Sequence, residues 1–112
     1  MPKQDYFEKG QLTDLAYLVL ASLTKPRHGY MIMQQIDHLT AGEISIGPAS
    51  LYTTLKKLTD AGYIGLVSDE ERKKTYHITH SGLENLEIEI KKRESLAYYG
   101  KAALKEFKED TQ

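Results

Sequence analysis

At 112 residues the chain has room for one hydrophobic core, with apolar residues at an ordinary 40%. The absence of cysteine excludes a disulfide framework, thiolate catalysis and cysteine-ligated zinc. The formal net charge of −1 gives no global basicity, no apolar run approaches the roughly 20 residues of a membrane span, and the first residues do not read as a signal peptide, so the expectation is a soluble, cytoplasmic protein with no membrane partner.

Residues 1–11 read as an N-terminal arm. "LTDLAYLVLASLT" (12–24) carries Leu15, Leu18, Val19 and Leu23 at helical spacing, with Thr13 as N-cap. "KPRHG" punctuates, and "YMIMQQIDHLT" then predicts a second helix with Ile32, Ile36 and Leu39 on one face. In "AGEISIG" the alternation of Ile44 and Ile46 predicts a stub of strand. Pro48 suits the first turn of a third helix, which buries Leu51, Leu55 and Leu58 and stops near Gly62. Tyr63–Ser68 and Lys73–Thr79 read as strands joined by "DEER", with Ile64, Leu66, Tyr76 and Ile78 on the buried face. Thr79 or Ser81 caps a last helix reaching about Glu109. Along it Leu83, Leu86, Ile90, Ala97, Leu104 and Phe107 form a seam of period 3.5, interrupted at Arg93 and Gly100.

The predicted class is therefore mainly α with a small β hairpin. Helices two and three make a helix-turn-helix and the hairpin a wing, so residues 12–79 form a winged helix-turn-helix DNA-binding domain and residues 80–112 a dimerisation helix. Between Thr13 and His80 seven acidic and seven basic residues cancel. Even so, Lys25, Arg27, Lys56, Lys57, Arg72, Lys73 and Lys74 gather in three clusters, at turns and on one helix surface.

In this setting "HGYMIMQQI" (28–36), "GPASLYTTLKKLTDAGYI" (47–64) and "KKTYHITHSG" (73–82) resemble the PadR family of winged-helix transcription regulators. The resemblance covers roughly residues 12–82, and the single C-terminal helix looks like the small LmrR-like subgroup. It implies a homodimer on double-stranded DNA, a repressor acting at a palindromic operator. There are departures: Thr75-Tyr76-His77 stands where the family usually has two adjacent aromatics, and Ser50 stands for the commoner threonine. The chain also lacks tryptophan, which the multidrug sensors of that subgroup use to stack planar drugs.

With the leucines turned inward, Ala49, Ser50, Thr53, Lys56 and Lys57 fall on the exposed side of helix three or its flanks. There they can meet base edges and phosphates. Tyr52 is expected half-buried against helix two, with any DNA contact secondary. Arg72, Lys73 and Lys74 stand where family wings meet the backbone, although Asp69, Glu70 and Glu71 weaken that contact. Lys25 and Arg27 beside the N-terminus of helix two suit a phosphate, and Tyr30 resembles the family tyrosine whose hydroxyl meets the backbone. Tyr6, Phe7, Tyr98 and Tyr99 stand where the family lines a cavity for a small aromatic effector; plain interface packing is the alternative. His77 and His80 make an H-x-x-H pair without a third converging ligand, so no metal or other cofactor is expected. With no nucleophile–base pair and no phosphate-cradling glycine loop, neither is an enzyme. The rival reading is a winged-helix protein-interaction module that does not bind DNA.

Overall fold

The computed structural model describes residues 10–70 and 73–111. Thr13 opens the first helix, α1 (Asp14–Ser22), and its side-chain oxygen accepts from the Ala16 amide at 3.1 Å, supplying a partner that helix N-termini lack. There follow β1 (Arg27–His28), α2 (Gly29–Leu39), α3 (Pro48–Asp60), β2 (Ile64–Glu70), β3 (Lys73–Ile78) and α4 (His80–Asp110). The strands form one antiparallel sheet in the order β1-β3-β2. The molecule is thus mainly helical with a small sheet, a winged helix-turn-helix followed by a long C-terminal helix.

The core lies where the first three helices cross beneath the sheet. Val19, Leu20 and Leu23 meet Ile32 and Ile36 of α2 and Leu51, Leu55 and Leu58 of α3, with Tyr63, Ile64 and Ile78 closing the top. Pro48 starts α3 as expected, and Gly62 turns the chain out of it at φ +83°, a left-handed conformation that a side chain would strain.

Four expectations need correction. "AGEISIG" forms no strand. Ile46 enters the core while Ile44 stays at the surface, and Thr40 Oγ1 holds the loop by accepting from the Ile44 amide at 3.1 Å. The third strand is instead Arg27–His28, pairing Arg27 with Tyr76 and His28 with Thr75. Leu39 belongs to the face of Ile32 and Ile36, but it ends α2 beyond the core and is 51% exposed. Leu66 is also 44% exposed. Its strand is a sheet edge, and the register passes from Leu66↔Tyr76 to Ser68↔Thr75, so Val67 bulges and the inward alternation ends at Ile64. Asp69 and Glu70 belong to β2, so the wing turn is shorter than "DEER"; its Glu71 and Arg72 lie outside the described residues.

Between the two candidate caps of α4, Thr79 takes the role. Its Oγ1 accepts from the Gly82 amide at 3.0 Å and donates to the Gly62 carbonyl at 2.7 Å. Gly82 is where the helix touches the sheet: a Cβ there would lie 2.1 Å from the Tyr63 carbonyl oxygen and 2.7 Å from Ile78 Cγ1. Arg93, expected to interrupt the seam, has its partners in the body of the domain. It turns inward to Glu89, to Asp14 at 3.0 Å, and over the Tyr17 ring at 4.0 Å. Beyond it α4 is exposed on every side in the isolated chain. Its 31 residues extend about 46 Å at the helical rise, much of the 63 Å long axis.

Candidate nucleic-acid interface

The face of α3 opposite its leucines carries Ala49, Thr53 and Lys56, with Ser50 and Tyr52 on the flanks; all five are exposed. Lys57 is half-buried. Lys56 Nζ lies 3.0 Å from Asp60 Oδ2 one turn on, a solvent-exposed pair that holds the ammonium along the helix. Ala49, Ser50, Thr53 and Thr54 share an open groove of about 310 Å³ with Leu15 of α1. Leu15 was expected only as a helix-packing residue, and nothing in its position within the apolar pattern of α1 signals its place here.

A second, larger cleft of about 580 Å³ collects residues far apart in the chain: His28, Gly29, Tyr30, Met31 and Gln34 from α2 and its entry, Tyr52 from α3, and Lys73 and Lys74 from β3. Gly29 explains the glycine after His28. A Cβ there would lie 2.4 Å from the Tyr52 hydroxyl, so the absence of a side chain seats that ring against the start of α2. Tyr52 was expected half-buried against helix two; it does meet the start of α2, but as a cleft-lining residue it is 52% exposed. Gln34 was not expected, although it lies one turn after Tyr30 on an exposed helix face.

His28 precedes α2 but its side chain makes no capping bond, and the first turn of the helix lines the cleft. Lys25 is exposed in the turn before β1. Arg27 is half-buried, and its Nε donates to the Ser22 carbonyl at 2.7 Å, so one of its donors closes the α1–β1 turn. In the wing, Asp69 stands opposite Lys74 and Glu70 opposite Lys73, acid against base across the two strands. His80 Nε2 lies 3.4 Å from Glu84 Oε2.

The second surface of interest is α4. Of its expected seam, Leu86 is half-buried against the core, while Leu83, Ile90, Ala97, Leu104 and Phe107 are exposed. Tyr98 and Tyr99 are exposed and meet edge to face, with ring centroids 5.8 Å apart. Tyr6 and Phe7, expected beside them, lie outside the described residues. The residues of α4 buried against the body are unexpectedly polar: Asn85 and Glu89, followed by Arg93. Burial lowers the Arg93 guanidinium pKa, but hydrogen bonds to Glu89 and Asp14 and their charges outweigh it and hold it above the usual arginine value.

Residues 18–88 match the transcriptional regulator PadR-like family. The chain is similar to smu.1704 from Streptococcus mutans UA159, at 30% identity and TM-score 0.64 over 90% of this chain and 92% of that one. It is similar also to Bacillus subtilis PadR, solved in complex with operator DNA, at 31% identity and TM-score 0.58 over 67% of this chain and 46% of that one. Among curated proteins, the transcriptional regulator YqjI of Escherichia coli (strain K12) is 30% identical over 86 residues, which is 76% of this chain. The chain spans only 40% of that relative's length.

Proposed function

The chain belongs to the PadR-like family of transcriptional regulators, and on that premise we propose that it binds DNA sequence-specifically, as a homodimeric repressor on a palindromic operator. One observation carries this reading. Tyr30, Tyr52, Lys73 and Lys74, from three separate stretches of sequence, line one open cleft beside the bare polar face of α3. That arrangement suits a nucleic-acid strand: α3 enters the major groove, and the cleft takes the flanking phosphates. Its similarity to Bacillus subtilis PadR, crystallised with operator DNA, supports the assignment.

In this reading residues 12–79 are the DNA-binding domain and residues 80–112 the dimerisation helix. Ala49, Ser50, Thr53 and Lys56 face base edges, with Lys57 on the flank. Lys25, Arg27, Tyr30, Tyr52, Arg72, Lys73 and Lys74 serve the backbone. Two copies join through the apolar face of α4, which holds two recognition helices about one DNA turn apart, or roughly 34 Å. The protein works in the cytoplasm and blocks transcription sterically. An aromatic effector gathered by Tyr98 and Tyr99, with Tyr6 and Phe7, releases it by changing that separation. The second reading, a protein-interaction module, draws on the acid–base pairing across the wing.

A gel shift on the chain's own upstream region at two salt concentrations separates the readings. The expected result is a shift that weakens steeply as salt rises, whereas no shift at low salt supports the interaction module. For the effector, a thermal-shift panel of planar aromatic compounds is expected to raise the melting temperature. No stabilisation at high ligand concentration assigns the tyrosines to packing.

A further inference from the structure

Where α4 docks on the body, Leu86 packs against the core, and beside it runs a ladder of polar contacts. Asn85 Oδ1 accepts from the Gly10 amide at 3.0 Å, and Glu89 Oε2 accepts from the Leu12 amide at 2.9 Å. Arg93 pairs with Glu89 and reaches the Leu12 carbonyl at 3.3 Å and Asp14 at 3.0 Å. Lys92 donates to the Gly10 carbonyl. The rungs lie one helical turn apart, so one edge of α4 reads the backbone of residues 10–12 and the start of α1.

Stability alone does not call for this chemistry. Asn85 and Glu89 are fully buried, and Asn85 Nδ2 has no hydrogen-bond partner among the described residues. A buried ion pair is generally no better than well-packed apolar side chains of similar volume. What polar rungs add is register, because each donor accepts only one alignment while leucine surfaces slide. A first fixed point already exists at the helix start, where Gly82 touches the Tyr63 carbonyl and Thr79 caps. The ladder is the second. Two points along a rod set its direction.

We propose that Asn85, Glu89 and Arg93 are positioning residues that fix the direction in which α4 leaves the winged-helix body, and thereby set the half-site spacing the dimer accepts. The proposal rests on the dimeric DNA-binding reading above. The free part of α4 beyond Arg93 is 17 residues, a lever of about 25 Å. Tilting such a lever by about 10° moves its tip roughly 4 Å, close to one base-pair step. A loose ladder therefore blurs spacing selection by about a base pair without altering a DNA-contacting side chain.

Two measurements on the whole 112-residue chain test this, with Glu89→Gln and, in case that variant folds poorly, Arg93→Met at the less buried end. The chain has no cysteine, so spin labels at Asp37→Cys on α2 and Ala102→Cys on α4 report the helix direction once labelled protein is diluted into unlabelled. The expected result is a narrow distance distribution in the otherwise unsubstituted chain and a broad one in either ladder variant. Equal widths overturn the proposal. Because no DNA is present, this arm stands even if the DNA-binding reading fails, a failure that shows as an unsubstituted chain that binds no palindrome. The second arm compares operators whose half-sites are moved by one or two base pairs. The unsubstituted chain should lose about tenfold or more off its optimum and the variants no more than about threefold. A loss of the same factor at every spacing, as general destabilisation produces, overturns the proposal too.

Discussion

Helices α3 and α4 are both two-faced, and they expose opposite faces. In α3 the apolar stripe of Leu51, Leu55 and Leu58 is fully used inside the chain, and what remains in water is hydroxyl and ammonium. In α4 the polar edge of Asn85, Glu89 and Arg93 is used inside the chain. Beyond it, leucine, phenylalanine and alanine remain in water, and Phe107 is 63% exposed. A surface left bare shows the chemistry of what covers it. Hydroxyls and cations suit a polyanion with hydrogen-bonding edges; an apolar stripe on a free rod suits another apolar rod. The contrast is the physical ground for proposing different partners for the two helices.

The largest effect is expected at the free end of α4. Leu104→Glu with Phe107→Glu changes side chains already in water in the isolated chain, so the winged-helix body should keep its melting temperature. In a two-fold dimer each change counts twice. At about 1.5–3 kcal/mol per large apolar side chain, dimer dissociation should rise by about four orders of magnitude or more. Sedimentation equilibrium should find folded monomers, and operator binding should disappear with the dimer. A persistent dimer would place the subunit interface elsewhere and break the contrast.

The exposed face of α3 comes next. Thr53→Ala or Lys56→Ala should each reduce specific operator affinity by about 1–3 kcal/mol if the side chain reads a base. Binding to unrelated DNA should barely move. Folding should change by no more than about 0.5 kcal/mol, since Lys56 is exposed and its pair with Asp60 lies at the surface. Fluorescence anisotropy on operator and scrambled duplexes measures both. Operator affinity that survives both substitutions removes α3 as the reader.

The same two helices mark how far the sequence was legible. Helix α3 was fully readable because periodicity, Pro48 and Gly62 agree, and its inward and outward sides follow from three leucines. Helix α4 was readable in extent and in its apolar stripe. The ladder was not, because Arg93 at a seam position looks like an interruption until its partners Asp14 and Glu89, the former 79 positions away, are seen. Short elements failed in the same way. Arg27–His28 is too brief for alternation to show, while Ile44 and Ile46 alternate without pairing. Leu66 keeps its register with Tyr76 but lies on an edge strand, and the bulge at Val67 follows it, with no residue in the strand announcing either. In the cleft, Tyr30 was expected at the interface, but its convergence with Tyr52 and the wing lysines is a tertiary fact.

The smallest effects, and the sharpest check on the rival reading, lie in the wing, where the contrast between a polar face and an apolar face does not apply. Lys73 and Lys74 each stand opposite an acid in the adjacent strand, Glu70 and Asp69, and all four are exposed. A cross-strand pair of opposite charges contributes about 0.2–1 kcal/mol, and a phosphate must compete with it for the lysine. Replacing both lysines with alanine should therefore weaken binding to every sequence by a similar factor. It should also flatten the salt dependence by up to about two units of slope, one per phosphate contact. Neutralising the acids, Asp69→Asn with Glu70→Gln, has the opposite sign. It removes the competitor and a like-charge repulsion, so affinity should rise a few-fold at low salt. The gain should shrink once the Debye length falls below about 10 Å, near 0.1 M salt. Both double variants should keep the melting temperature, because neither reaches the core. If removing the lysines acts on one operator only, the wing reads bases rather than phosphates. If neither pair of changes alters affinity or slope, the wing does not meet DNA, and its self-neutralised surface is left to a protein partner.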